Sequence, residues 1–368
     1  MHFSSAPSTT ASYPCFSRST VGYIATHLAP CAGPLPTGLA DNRPRMQAIL
    51  AVTIPFFALV LCGYLAARRH VLAESAIPGL NGFVLYFALP CLLFRFGAGT
   101  PVFDLLNPAV LAVYLASALL IVFFTIAVTL SARIHLQDAA FGALVAAFPN
   151  TGFMGVPLLV ALLGKAAAGP VICTVLADLF VTSSLCIALA QAHGGAPQPG
   201  QGGQAALLRA LRGALSNPLP WSIALGAVVS ITGVSLPGPL ATLVGMLADA
   251  ASPVALFTIG AVLWRSSQHA AHRTPLADYL PVALIKLVVH PLLVFALGAS
   301  AHALGAPLSA FQLTVLTLAA ALPSASNVSL LAERYGADNG RVARIIMSST
   351  VLAFASFSLL AWGFGRPG

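Results

Sequence analysis

Two stretches of this chain interrupt apolar runs with proline, glycine and small polar residues. One is Phe148-Pro149-Asn150-Thr151-Gly152-Phe153-Met154-Gly155-Val156-Pro157. The other is Leu322-Pro323-Ser324-Ala325-Ser326-Asn327-Val328-Ser329. Proline lacks an amide donor and clashes with the preceding turn, so a helix breaks or bends there. In an apolar medium each freed backbone group is costly unless it finds a partner or lines a cavity. Where a helix resumes, it offers unpaired amides and a positive dipole end, which suits an anion. Asn150, Thr151, Ser324, Ser326 and Asn327 can add neutral hydrogen bonds. The bland reading is that proline and glycine only let membrane helices pack closely. Two interruptions at corresponding places favour a ligand site instead. Pro149, Asn150, Thr151, Pro157, Pro323, Ser324 and Asn327 are therefore the candidate substrate-binding residues.

Ionisable groups inside apolar runs form the second set, because burying them is costly. Asp178 is placed to carry a proton, bind a cation or hydrogen-bond the first broken helix. Lys286 is placed to neutralise an anionic substrate, or to snorkel to the interface. These two are the candidates for coupling or charge balance. His290 is one turn from Lys286 on the same face and precedes Pro291, which suits a hydrogen-bonded packing residue. Asp249 and Asn81 carry the same ambiguity between function and structure.

The elements that position these residues are membrane spans. The chain has 368 residues, 58% hydrophobic and 7% charged, with a mean hydropathy of +0.91. A soluble domain carries about a quarter charged residues, so too few are present to cover a globular surface. Runs of roughly 20 apolar residues, enough to span a bilayer, recur from Met46 to Phe364. Ten spans can be drawn, at about 46–67, 77–96, 109–130, 139–163, 167–191, 217–234, 239–264, 279–300, 308–332 and 342–363. The broken segments fall in spans 4 and 9. A polar Gly/Pro/Gln-rich linker occupies 192–216. Residues 1–45 form a Ser/Thr/Pro/Ala-rich leader, expected to be disordered and poor as a signal peptide. Met46 opens span 1 so directly that it is an alternative start to Met1.

The two halves repeat. At an offset of 163, Pro55, Gly63, Pro90, Phe94 and Gly97 match Pro218, Gly226, Pro253, Phe257 and Gly260. Further on the offset is 174, and Ala146-Ala147-Phe148-Pro149 matches Ala320-Ala321-Leu322-Pro323. Five spans per half force opposite orientations, the inverted repeat of many secondary transporters. The fold expected is all-α and integral to the membrane, ten helices as two inverted five-helix repeats.

Net charge is +8. The basic residues sit mostly in short loops, with no basic helix and no aromatic–basic interleaving, so they read as topology signals and not as a nucleic-acid surface. Arg68, Arg69, Arg133, Arg209, Arg212, Arg265, Arg273, Arg334, Arg341 and Arg344 fall on one side, against Arg95 and Lys165 in the loops of the other. The positive-inside bias puts the first set in the cytoplasm and both termini outside, in a plasma (bacterial inner) membrane. Four of the six cysteines lie in apolar segments, and no two form CxxC. No P-loop, GxSxG, HExxH or metal-ligand spacing is present, so no enzyme, metal or cofactor is expected.

The segment Asn150–Leu159 resembles the fourth-helix motif of the auxin efflux carrier family. Tyr86–Phe94 is similar to that family's second helix. Asn217-Pro218-Leu219 through Gly226, and Pro253–Ala261, are similar to its sixth and seventh. Leu322–Asn327 and Ser348-Ser349-Thr350 resemble its ninth and tenth. The resemblance covers Met46 to about Gly363. It implies a ten-helix fold shared with bile-acid/sodium symporters, in which helices 46–96 and 217–264 form a scaffold and homodimer interface. Helices 109–191 and 279–363 would form the moving transport domain, with broken helices 4 and 9 crossing at the site. It implies transport of small organic anions such as malonate, malate or indole acetate, with the fourth-helix asparagine, here Asn150, on the substrate carboxylate. The short linker and the single proline of the span 9 crossover depart from the plant carriers and fit a bacterial permease.

The function expected is secondary transport of a small organic anion by alternating access, with proton or sodium coupling open. The alternatives are a sodium-coupled bile-acid-type symporter and a non-transporting membrane sensor. An intramembrane enzyme would have only Asp178 and Asp249 as a catalytic pair.

Overall fold

The computed structural model describes residues 43–101, 103, 107–191, 215, 218–268 and 274–364. The leader up to 42 and nearly all of the 192–216 linker lie outside the described residues, as does Asn217. The described residues are helical, as the apolar runs require, and form no strand.

Twelve helices follow in order: α1 (Arg43–Arg68), α2 (Glu74–Ala98), α3 (Pro108–Thr129), α4 (Leu136–Ala147), α5 (Thr151–Leu163) and α6 (Lys165–Gln191). Then come α7 (Pro218–Thr232), α8 (Gly238–Gln268), α9 (Leu276–Ala303), α10 (Ala310–Ala320), α11 (Asn327–Arg334) and α12 (Asn339–Phe364). Seven of them, α1, α2, α3, α6, α8, α9 and α12, are long and apolar enough to cross a membrane. The stretches read as spans 4 and 9 each appear as two shorter helices, α4 with α5 and α10 with α11. The helix in the sixth stretch, α7, has 15 residues.

Local chemistry sets these limits. Asn107 caps α3, its side chain accepting from the amides of Ala109 and Val110 at 3.0 and 3.2 Å, with Pro108 at the first helical position. Ser309 and Gln312 form a reciprocal capping box at the start of α10. Of the four π-turns among the described residues, three, Val84–Ala88, Thr151–Gly155 and Ile285–Val289, each end two residues before a proline, Pro90, Pro157 and Pro291, while the fourth, Asp178–Thr182, does not. Proline would clash with the carbonyl four residues back, which lies inside the π-turn in each of the three. The wider turn moves that carbonyl aside, so the helix continues past the ring. Pro157, read from sequence as part of the break, thus lies inside α5.

Helices α1, α2, α7 and α8 pack mainly on one another, and α3–α6 pack with α9–α12. The first group is closed by glycines. A methyl group on Gly63 would overlap the Phe257 carbonyl, and one on Gly260 the Val60 carbonyl, where α1 meets α8. Where α7 meets α2, Gly226 stands in the same way against Phe94, and Gly97 against Ile223. Val60/Ile223, Gly63/Gly226, Phe94/Phe257 and Gly97/Gly260 are each 163 residues apart, so the two crossings use matched positions. In the second group, α4 is buried all round from Ala139 to Ala147, its small side chains letting neighbours approach. Arg341 of α12 ties this group together. Its Nε donates to the Asp278 carbonyl and its Nη1 to the Asp138 carbonyl, both at 2.8 Å.

Candidate functional site

The chain unwinds between α4 and α5, and again between α10 and α11. The two unwound pieces pair with each other. Asn150 donates its backbone N–H to the Pro323 carbonyl at 2.8 Å, and Ala325 donates to the Phe148 carbonyl at 3.0 Å. Pro149 and Ser324 sit opposite each other in this antiparallel bridge. Broken helix ends would otherwise leave costly free backbone groups in the interior. Each break therefore satisfies part of the other, and Pro149 and Pro323, lacking N–H groups, fit where fewer donors are needed.

Other bonds complete the crossing. The Ser324 amide and hydroxyl both meet the Ser349 hydroxyl of α12, at 3.2 and 3.1 Å. The Asn150 carbonyl accepts from the amides of Met154 and Gly155, closing the π-turn that opens α5. A methyl on Gly155 would lie 2.7 Å from the end of the Leu322 side chain of the other break, which would have to shift to admit it.

Two polar atoms are left over. The side-chain oxygens of Asn150 and Asn327 are buried without a hydrogen-bond partner. Asn150 stands at the start of α5, and Asn327 opens α11. Ser326 and Asn327 also line a small pocket with Phe153, facing Asn81 of α2 and Thr258 of α8. That pocket has about 10 Å³ of free space, room for roughly one water. Of the residues singled out from sequence, Pro149, Asn150, Thr151, Pro323 and Ser324 meet in the crossing, and Asn327 lies at its edge. Pro157 does not reach it.

A second polar cluster lies deeper. Asp178, Tyr114, Lys286 and His290 are all fully buried. Tyr114 donates its hydroxyl to Asp178 at 2.7 Å, and Thr182 donates to the other carboxylate oxygen at 3.0 Å. Lys286 donates to the carbonyl of Ala320, the last residue of α10, at 2.6 Å. Its Nζ is also 3.1 Å from Nδ1 of His290. Lys286 therefore faces the second broken helix and does not snorkel. Asp249 is elsewhere, in an exposed ion pair with Arg95 at 2.6 Å, so it forms no pair with Asp178. Among the described residues no group of three or more His, Cys, Asp or Glu could hold a metal ion.

Sequence reading missed Tyr114, Thr182 and Ser349. Thr182 was within reach, since it stands four residues from Asp178 on the same helix face. Tyr114 is a lone polar residue in an apolar run, Ser349 was named only within the Ser348-Ser349-Thr350 motif, and nothing local marks the partner of either.

The family model described as "Membrane transport protein" matches residues 48–362. The chain belongs to this family, the auxin efflux carrier family. It is accordingly an integral membrane transporter and not an enzyme. Among curated members, a protein of Rhizobium meliloti (strain 1021) named "Putative malonate transporter" is 30% identical over 318 residues, 86% of this chain and 96% of that one. The "Uncharacterized transporter YfdV" of Escherichia coli (strain K12) is 26% identical over 288 residues, 77% of this chain and 87% of its own. An "Uncharacterized transporter" of Methanothermobacter thermautotrophicus is 27% identical over 320 residues, 85% and 96% of the two chains. In this auxin efflux carrier family member the matched region takes in both broken segments and the buried cluster.

Proposed function

We propose that this protein is a secondary carrier of a small organic anion, a carboxylate such as malonate, malate or an auxin-like acid, working by alternating access. The observation that carries this is the crossing itself. Two helices resume there, α5 and α11, each bringing a positive dipole end and an asparagine amide whose oxygen has no partner. An amide rotates to present its NH₂ group to a carboxylate. Pro149, Asn150, Thr151, Pro323, Ser324 and Asn327 shape this site, with Pro157 setting the course of α5. The relative named for malonate supports a carboxylate.

Ten spans in two inverted halves account best for the helices. The broken pairs α4–α5 and α10–α11 each count as one span, and α7 as another. The matched glycine crossings of α1 with α8 and α2 with α7 are what a two-fold relation between halves produces. Helices α1, α2, α7 and α8 then serve as scaffold and homodimer surface, with α3–α6 and α9–α12 as the moving unit. The pocket between the two groups holds roughly one water, so substrate entry requires α5 and α11 to move away from α2 and α8. The arginine bias supports a bacterial inner membrane with both termini outside.

Uptake of labelled malonate, malate and indole acetate into proteoliposomes tests the reading. Saturable flux of one of them is expected. Ligand-induced stabilisation without flux would favour a membrane sensor instead.

A further inference from the structure

The crossing has two polarities. Helices α5 and α11 turn their N-termini into it, while α4 and α10 end there with carbonyls that find partners outside their own helix, Phe148 with Ala325 and Ala320 with Lys286. A helix C-terminus carries a partial negative charge. In an interior of low dielectric such a charge acts strongly on its neighbours. In broken transporter helices, carbonyl ends of this kind are where coupling cations bind.

Here that position is taken by the chain itself. Lys286 is fully buried, and its ammonium donates to the Ala320 carbonyl at 2.6 Å. Its neighbour one turn on, His290, is near the backbone of Ala146 close to the end of α4, with its Nε2 buried and free of a hydrogen bond. Ala146 and Ala320 are matched positions at the 174 offset. The two basic residues of α9 thus lie near matched positions of the two broken helices, and Lys286 is the one that bonds to its helix end. Asp178 of α6 is within Coulombic reach of Lys286. Its carboxylate oxygens accept from Tyr114 and Thr182, and no contact ion pair joins it to Lys286 among the described residues. The Lys286 Nζ therefore stands at the carbonyl end of α10, with one imidazole nitrogen beside it and Asp178 within Coulombic reach.

We propose that Lys286 is a built-in counter-cation, its ammonium occupying the seat that an alkali cation would need between the end of α10 and Asp178, so that this carrier runs without sodium. A sodium ion at the same place would collide with the Lys286 Nζ and compete with it for the Ala320 carbonyl. The flux part of the proposal rests on the carrier reading, but occupancy of the seat does not.

The test compares the wild type, Lys286→Ala and Lys286→Met in detergent and in proteoliposomes. Melting temperature is read in choline, sodium and methylammonium chloride at equal ionic strength. Wild type should melt at the same temperature in all three. Lys286→Ala empties the seat, so it should melt lower in choline and recover saturably in sodium or methylammonium. Lys286→Met fills the volume without charge and should respond to neither cation. Should Lys286→Ala fold poorly, recovery of folded protein only in sodium or methylammonium counts in favour, and recovery in no salt counts against. Saturable sodium stabilisation of the wild type would overturn the proposal, as would a Lys286→Ala variant indifferent to every cation. Wild-type flux that requires sodium would also overturn it while leaving the carrier reading intact. Absence of flux for every substrate would weaken the carrier reading and leave the melting comparison decisive for the seat.

Discussion

The backbone N–H of Asn150 is bonded to the carbonyl of Pro323 at 2.8 Å, while the Asn150 side-chain oxygen has no partner. The residue is therefore anchored by an atom that substitution leaves in place. Asn150→Ala should express and melt like the wild type. A hydrogen bond to a charged group contributes about 1.5–3 kcal/mol, so the KM for the carboxylate should rise roughly ten- to hundredfold. Unchanged uptake kinetics in that variant would remove Asn150 from the site. Asn150→Asp adds repulsion and should be worse.

The glycine crossings make a second prediction. Gly63→Ala or Gly260→Ala must push α1 and α8 apart, because the new methyl meets backbone that cannot rotate away. Overpacking of this kind costs about 1–3 kcal/mol. Gly245→Ala in α8 meets nothing within 4 Å and should be neutral or slightly stabilising, since alanine is the better helix former. Melting curves of the three variants decide it, and equal loss in all of them would count against the close-approach argument.

Arg341 should not tolerate lysine. Its guanidinium reaches two carbonyls on different helices, and a methyl on Gly142 would lie 2.8 Å from its Nη1. A lysine ammonium cannot hold both in the same fork. Arg341→Lys should lower stability by about 1–3 kcal/mol through the carbonyls left unpaired. Gly142→Ala should act in the same direction, and the double variant should lose less than the two singles added, because both strike one contact. Strict additivity in melting temperatures would show the two residues to be independent.

Tyr114→Phe removes one of the hydrogen bonds that Asp178 accepts and leaves the ring in place. The buried oxygen then lacks a donor, at a cost of about 1–3 kcal/mol. Lower stability with reduced flux is expected. Asp249→Asn is the contrast: its ion pair with Arg95 is exposed, and such pairs are worth about 0–1 kcal/mol, so its melting temperature should barely move. A larger loss in Asp249→Asn than in Tyr114→Phe would reverse the roles assigned to the two carboxylates.

Proline and glycine made the broken segments legible in the sequence, because few other residues change what a backbone can do. Pro149 and Pro323 marked both breaks correctly, but the first was read as running to Pro157. The π-turn at Thr151–Gly155 explains the difference, since it admits a proline without ending the helix. The matched glycines were visible as a repeat, whereas their contacts were not: an offset says which positions correspond, not which ones touch. Asp178 and Lys286 stood out by charge alone. Their partners Tyr114 and the Ala320 carbonyl could not, one being an ordinary aromatic residue and the other a backbone atom. Arg341, counted as a loop charge, is 2% exposed. Its burial depends on three helices meeting, which no local pattern records.

The π-turns have a consequence for chain length. A π-turn advances the helix with one residue more than an α-turn would use. Each proline that follows one therefore marks a place where a helix has absorbed an insertion. Deleting one residue from Val84–Ala88 together with replacing Pro90 by alanine should restore a plain α-helix of nearly the same length. Loops would need no adjustment, and the helix ends would stay at their depth in the bilayer. Insertions and deletions among members of this family should thus be tolerated at these three turns, inside the membrane, as well as in the loops.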